Sequence, residues 1–422
     1  MSMLAPLRYV PFRFLVAGRT INALGNAIAP VALAFAVLDL TGSATDLGLV
    51  VGARMLANVL FLLFGGALAD RVPKNLLMVG SSIAAAVTQA AVAGMILSGT
   101  ATVPLLIVLS SINGMVAALA LPASSAILPQ LLPAELRQQA NAISRLSFNG
   151  AMIMGAPVGG IIVAAISPGW GIAIDAVTFL CSAACFALLR IPPAPTVPAE
   201  RAGIVAELRT GWTEFRSRTW LWVVVAAFSV INACISGGIN VLGPLVADET
   251  VGRRAWGFVL AAQTLGMLLG ALIAMRLRVR RLLFVGVLCT AFEVLPVLTL
   301  GVAPHLGLLI AATFLAGLTI EEFGIAWETT MQEHVPADKL ARVYSYDMVG
   351  SYLAIPIGQV ATGPIAEAVG VRTTLIGAAG LIALAVLAMV SSSDVRNLRH
   401  ELSTGSPTEG RAPAAPMEEL AP

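Results

Sequence analysis

Charge is scarce in this chain, with Asp, Glu, Lys and Arg making up 11% of its 422 residues against about 25% in an ordinary soluble protein. With 58% hydrophobic residues and a mean hydropathy of +0.89, a water-soluble globule of this length is excluded. Histidine is nearly absent, since only His305, His334 and His400 occur, and no H-E-x-x-H pair or zinc-type Cys/His spacing is present. No Walker phosphate loop is present either, so direct use of ATP is not encoded, and no metal or cofactor is expected. The cysteines Cys181, Cys185, Cys234 and Cys289 all fall in apolar stretches, where they act as small core residues rather than disulfide partners. Aromatic residues reach only 6%, and the net charge of +2 comes from scattered arginines and the lysines Lys74 and Lys339. No basic patch for nucleic acid is implied.

What the chain does have is long apolar runs. A helix of about 20 residues crosses a hydrocarbon core of about 30 Å, and twelve such spans are predicted at 14–38, 47–69, 76–97, 103–123, 140–166, 170–190, 220–246, 255–277, 282–301, 305–327, 344–369 and 371–392. Continuous runs, rather than ten-residue alternation, point to helices instead of a barrel. The first span is long and lacks a small-residue cleavage site, so it is expected to be a retained membrane helix.

One half of the chain echoes the other. The segment starting at Ala126 (AILPQLLPAELRQQANAISR) and the one starting at Thr329 (TTMQEHVPADKLARVYSYDM) share a Pro-Ala-acid kernel, with Pro133 and Pro336 lying 203 residues apart. The same offset carries Gly155 onto Gly358 and Gly160 onto Gly363. Duplicated helical units are how many secondary transporters are built, with the substrate site between the repeats near mid-bilayer. The expected fold is an all-α membrane protein of twelve transmembrane helices in two pseudo-symmetric six-helix halves. The expected units are residues 1–190, a linker at 191–219, residues 220–392 and a tail at 393–422.

Of the 25 basic residues, 19 fall on one side of this topology, 3 on the other and 3 inside spans. The positive-inside rule makes the rich side cytoplasmic, with both termini there; a bacterial cytoplasmic membrane is the expected location, and 23 arginines to 2 lysines are compatible with a GC-rich bacterial genome. The linker alternates apolar and charged positions from Ala202 onward, as a short amphipathic helix on the inner face would. The tail is too poor in large apolar residues to fold and is expected to be disordered.

Between spans two and three, the run Gly66-Ala-Leu-Ala-Asp70-Arg71-Val-Pro73-Lys74 resembles the major facilitator signature G-x-L-A-D-R-x-G-R-[KR]. It departs at Pro73, at Lys74 and at Asn75, so the acid–base core survives but not the glycine turn. The runs LDLTGSATDLG after span one, QANA at Gln139–Ala142 and WETTMQEHVP at Trp327–Pro336 extend the resemblance over nearly the whole chain. They are similar to the exporter branch that contains macrolide-efflux and siderophore-export proteins. In that family the loop resembles a latch between the halves, which would place Gly66, Asp70, Arg71 and Lys74 opposite Asp347 at the start of span eleven. An acid such as Asp70 is favoured at the positive end of a helix dipole. GAMIMGAPVGG in span five is one residue shorter than the antiporter motif G-P-x-x-G-G. The span-four arginine of many proton-linked exporters is absent, leaving Asn113.

Ionisable groups inside the spans are costly and mark pathways or partners. Arg19, Arg145, Glu321 and Glu322 all lie within about 8 to 12 Å of the inner ends of their spans at 1.5 Å per residue. Arg145 is therefore expected to pair with Glu321 or Glu322 and to close the cytoplasmic side, with one of these glutamates as the proton carrier. Adjacent residues point about 100° apart, so only one of the two faces the cavity squarely. Arg19, Asn22 and Asn26 share one face of span one, and Asn232, Ser236 and Asn240 share one face of span seven. With Asn113 they either line a wet cavity or bond neighbouring helices. Arg54 has no evident acid at its depth, Asp175 near the outer start of span six could simply cap that helix, and Glu293 lies deep in span nine, a position that the family resemblance makes peripheral.

The function implied is export of an amphipathic small molecule by alternating access, in exchange for protons and as a monomer. The alternatives are uptake of a nutrient or movement of lipid on the same fold, or a membrane scaffold, sensor or intramembrane enzyme.

Overall fold

The computed structural model describes residues 5–69, 72–125, 127–133, 136–189, 212–274 and 279–399; within these, the side chains of 63–69, 120–125, 129–130, 138, 337–338 and 341–342 are excepted. Its membrane rods are α1 Val10–Thr41, α2 Ala44–Ala69, α3 Lys74–Ser98, α4 Val103–Ser125, α5 Arg137–Ala165 and α6 Pro168–Ala187 in the first half. The second half holds α7 Thr219–Glu249, α8 Arg253–Ala274, α9 Leu282–Val302 and α10 Leu306–His334. It ends with α11, in two pieces Ala337–Tyr352 and Ala354–Val369, and α12 Val371–Ser391. Among the described residues, ten helices are long and apolar enough to cross a membrane. The other two rods are α4 and the broken α11.

Prolines account for the interruptions. A proline ring strikes the carbonyl four residues earlier and removes a donor. Pro356 therefore breaks α11 just after Tyr352, and Pro296 sits four residues beyond Phe292 in the 3₁₀ turn Thr290–Glu293 of α9. In α7 the stretch Ser236–Leu242 winds as a π-helix ahead of Pro244, a distortion often found at functional sites.

The helices pair as the repeat requires. In the first half α1 packs on α5 and α6, and α2 on α4; in the second α7 packs on α11 and α12, and α8 on α10. The halves meet through α2 against α11 and α5 against α8. The glycines at the 203-residue offset make equivalent contacts. A side chain at Gly155 would strike Ala27 and the Leu24 carbonyl of α1, while one at Gly358 would strike the Ala233 backbone of α7. Gly160 lies against the Arg253 and Arg254 backbone at the start of α8, and Gly363 against Ala44 and Thr45 at the start of α2. Small residues let backbones approach where lipid supplies no hydrophobic drive between helices, so the echo in sequence is a two-fold pseudo-symmetry in space.

Two helices are longer than hydropathy implies: α10 runs to His334 and α11 starts at Ala337, each seven residues beyond the expected span. Apolarity ends where lipid ends, but the hydrogen-bonded turn does not, and Trp327, Thr330 and Met331 keep one face of the extension buried. Of the expected linker, residues 191–211 lie outside the described residues. Residues 212–217 are helical and dock on α11, with Phe215 buried, Trp212 stacked on Phe215, and both rings against Tyr346. Glu214 accepts from Lys339 Nζ at 2.8 Å and pairs with Arg218. The tail begins with one helical turn, Ser393–Asn397, on a fully buried Val395; its residues 400–422 lie outside the described residues.

The hydrogen bond from Lys339, then that from Arg218, holds the Glu214 carboxyl below the usual carboxylate range. A depressed folded-state value means that the docking energy is present above the unfolded pKa and is lost as pH falls through the folded one. Hydrogen exchange of residues 212–217 is expected to accelerate only when pH drops below about 4, the ordinary glutamate range. Glu214→Gln should remove that dependence; an unchanged pH profile in this variant would exclude Glu214 as the titrating group.

Candidate functional site

Two cavities share Asn26 and Ala117 in their walls and so adjoin. The wider, about 900 Å³, lies among α1, α3, α4, α5 and α6 and is lined by Arg19, Asn22, Asn141, Arg145 and Asn149. The deeper, about 400 Å³, lies between the halves and is lined by Arg54 and Asn58 of α2, Asn240 of α7, Trp256 of α8 and Gln359 of α11.

The end of the seam opposite the basic loops is clasped. Arg253 donates to Asp39 Oδ2 at 2.8 Å and to Asp248 Oδ1 at 2.7 Å, joining the ends of α1 and α7, and stands 5.0 Å over the Phe35 ring. Across the pseudo-symmetric seam, Thr45 Oγ1 donates to Glu367 Oε1 at 2.7 Å, and Ser43 reaches the same oxygen. Gly42 and Gly252, with φ of 65° and 88°, allow the tight turns that bring these groups together. The largest apolar cluster among the described residues joins Val31–Leu38 of α1 to α7, α8 and α11 and runs on through the second half to Phe215 and Val395, whereas Phe12, Leu15, Leu77 and Phe186 form a separate first-half cluster. At the basic end Leu146 is 66% exposed and Arg145 is exposed as well. The Arg253 and Glu367 contacts thus close the halves at the end opposite the basic loops.

Arg54 is set into the wall by close packing, because any side chain at Gly114 would strike its carbonyl. Its Nε donates to Asn113 Oδ1 at 3.2 Å, and Asn113 Nδ2 donates to Thr88 Oγ1 at 3.2 Å. Behind this layer sits Asp175, only 1% exposed, which accepts from Gln89 and contacts Thr178. Asp175 is not a helix cap: Ser167 occupies that place, and Asp175 lies in the third turn of α6 within electrostatic reach of Arg54. At 1.5 Å per residue, Arg54 and Asp175 lie about 15 and about 10 Å from the same ends of their helices. Depth counting from that end would have paired them.

The remaining candidates divide. Arg19, Asn22, Asn26, Arg145 and Asn240 stand on cavity walls. Asn113 is 2% exposed and bonds Arg54 and Thr88, so it supports the wall rather than forming it. Asn232 Nδ2 donates to the Ser351 carbonyl at 3.0 Å, and Ser236 accepts from Gln359 and Asn240. These two tie α7 to α11. Glu321 packs toward Gly270 of α8 and feels Arg145 across the seam, but no ion pair joins them. Glu322, 7% exposed, turns toward Cys289 of α9, and one of its oxygens lacks a hydrogen-bond partner. Glu293 is buried in α9 and lines neither cavity. Asp347 accepts from Trp327 Nε1 at 3.0 Å and from Ser351 Oγ at 3.2 Å, which ties it to α10 within its own half. Gly66 and Lys74 lie at the facing ends of α2 and α3, while Asp70 and Arg71 lie outside the described residues. Sequence reasoning missed the Arg253 clasp; its signal was an outer-loop arginine five residues beyond Asp248.

Two six-helix halves clasped at one end, with an arginine- and asparagine-bearing cavity between them, define a transporter of the multi-pass membrane class. A profile of the Major Facilitator Superfamily matches residues 15–358, and the chain belongs to that family. It is 26% identical to the multidrug efflux pump Tap of Mycolicibacterium fortuitum, over 88% of this chain and 91% of Tap. It is 22% identical to macrolide efflux protein A of Streptococcus pyogenes, over 90% and 96% of the two chains. The crystal structure of a bacterial homolog of the human lysosomal transporter Spinster, inward-facing and unoccupied, superposes with a TM-score of 0.71 at 15% identity. That match covers 93% of this chain and 98% of the other and speaks for the fold alone.

Proposed function

We propose that this transporter exports an amphipathic small molecule across the bacterial cytoplasmic membrane in exchange for protons, working as a monomer with the basic end and both termini in the cytoplasm. The observation that carries this reading is the cavity between the halves, which adjoins a second cavity lined by Arg19 and Arg145 and lies below the Arg253 clasp. Efflux relatives along most of the chain support the direction.

In this scheme the molecule is in its cytoplasm-facing state. Rocking of the halves would separate Arg253 from Asp39 and bring Arg145 onto Glu321, which an unprotonated carboxylate favours and a proton weakens. Glu321 is the better carrier of the two glutamates because it alone faces the seam. In inverted vesicles energised with a proton gradient, a panel of amphipathic compounds is expected to include one that accumulates only with the gradient. Glu321→Gln and Arg145→Glu should abolish that accumulation, while Glu322→Gln keeps most of it. Folded protein that moves no compound would overturn export, and loss confined to Glu322→Gln would reassign the carrier.

A further inference from the structure

We infer that the cavity between the halves is an anion site, in which Arg54 binds the carboxylate, phenolate or sulfonate group of the amphipathic substrate. The physiological meaning rests on the export reading, but the binding chemistry does not.

Three arginines, Arg145, Arg19 and Arg54, mark the route from the basic end to the seam, and no Asp or Glu is among the described residues lining either cavity. A low-dielectric cleft lined by one sign of charge focuses its field and concentrates the opposite ion. Arg54 is the deepest of the three. Its Nε is committed to Asn113, while no carboxylate comes within 4.0 Å of its guanidinium among the described residues. Asp175 compensates part of the charge from behind the wall, with its own oxygens engaged by Gln89 and Thr178. That arrangement keeps the cation in place and leaves the terminal N–H pair, the fork that suits a planar anion, unspent on any acceptor among the described residues. Asn26 and Asn240 add amides to the wall, and Trp256 offers an indole surface to an apolar ring. An anion leaving a cell that is negative inside is also helped by the membrane potential, so the site and the potential act in one direction.

The test is isothermal titration of the full chain in lipid nanodiscs with 2-naphthoate, 2-naphthamide and 2-naphthylmethylamine, which share one apolar body and differ in charge. The naphthoate is expected to bind at least tenfold tighter than the other two. Arg54→Gln should erase that preference, and Arg54→Lys should keep part of it. Because Arg54→Gln leaves Asp175 buried beside no cation, Arg54→Gln with Asp175→Asn serves as a neutral, foldable counterpart, checked by its melting temperature, and it too should lose the preference. Equal or better binding of the amine or amide to the wild type, no binding of any of the three, or retained acid preference in the folded double variant would each overturn the inference. Naphthoate binding through Arg54 without accumulation of any compound in vesicles would instead count against export alone.

Discussion

Gly363→Leu is expected to abolish transport and to hold the molecule open at the end that is now clasped. The reason is local and steric: the first carbon of any side chain at 363 would sit against the backbone of Ala44 and Thr45, atoms that cannot rotate away as a side-chain tip can. Overpacking of this kind costs about 1 to 3 kcal/mol. Here the cost falls only on the state in which α11 and α2 touch, so the ratio of open to closed forms should rise roughly 5- to 150-fold. Gly257→Leu, which would press on the Ala156 carbonyl and Pro157 at the partner seam, should act the same way. The check is labelling of a cysteine at Thr45, in a background lacking the native cysteines, by a membrane-impermeant thiol reagent from the clasped side. Labelling should be slow in the parent and fast in Gly363→Leu. Gly377 of α12 has open space around it, so Gly377→Leu should change neither labelling nor transport; if it did, bulk in the second half rather than the seam would be responsible.

Arg253→Ala should open the same end by a different route. One guanidinium holds carboxylates from both halves, Asp39 and Asp248, and its removal leaves two like charges without their shared cation. The group is partly exposed, at 24% for its side chain and 42% for Asp39, so the interaction is discounted for screening to about 1 to 2 kcal/mol despite its forked geometry. That still corresponds to a shift of about tenfold in the closing equilibrium, with transport falling in proportion. High salt should mimic the substitution weakly. Arg253→Lys should recover little, because a point charge cannot fork to both carboxylates, whereas exchanging the partners, Arg253→Asp with Asp39→Arg, should recover part of the closure. Thiol labelling at Thr45 that stayed at the parental rate in Arg253→Ala would show that the glycine seams alone hold this end.

Much of the architecture was legible because it depends on local quantities. Twelve rods follow from runs of apolar residues matched to bilayer thickness, and Gly155 with Gly358, or Gly160 with Gly363, declared equivalent contacts by spacing alone. The ends of α10 and α11 were not legible, since hydropathy reports lipid and not the helix that continues beyond it. The polar stripes were half legible. Periodicity put Asn232, Ser236 and Asn240 on one face of α7, but the rotation of that helix turned Asn232 and Ser236 onto α11 and only Asn240 onto the cavity. The adjacent Glu321 and Glu322 were bound to face apart, yet which one met the seam depended on where α8 and α9 packed.

By itself the sequence determined a duplicated all-helical membrane protein, its span order and its charged asymmetry, because each of these is set by composition, spacing and the cost of burying charge in lipid. Tertiary structure alone decided which polar groups meet: Arg54 with Asn113 before Asp175, Arg253 between Asp39 and Asp248, and a cavity sealed at one end. Those pairings join residues far apart in the chain whose contact rests on helix rotation and tilt, and close packing of small residues sets both.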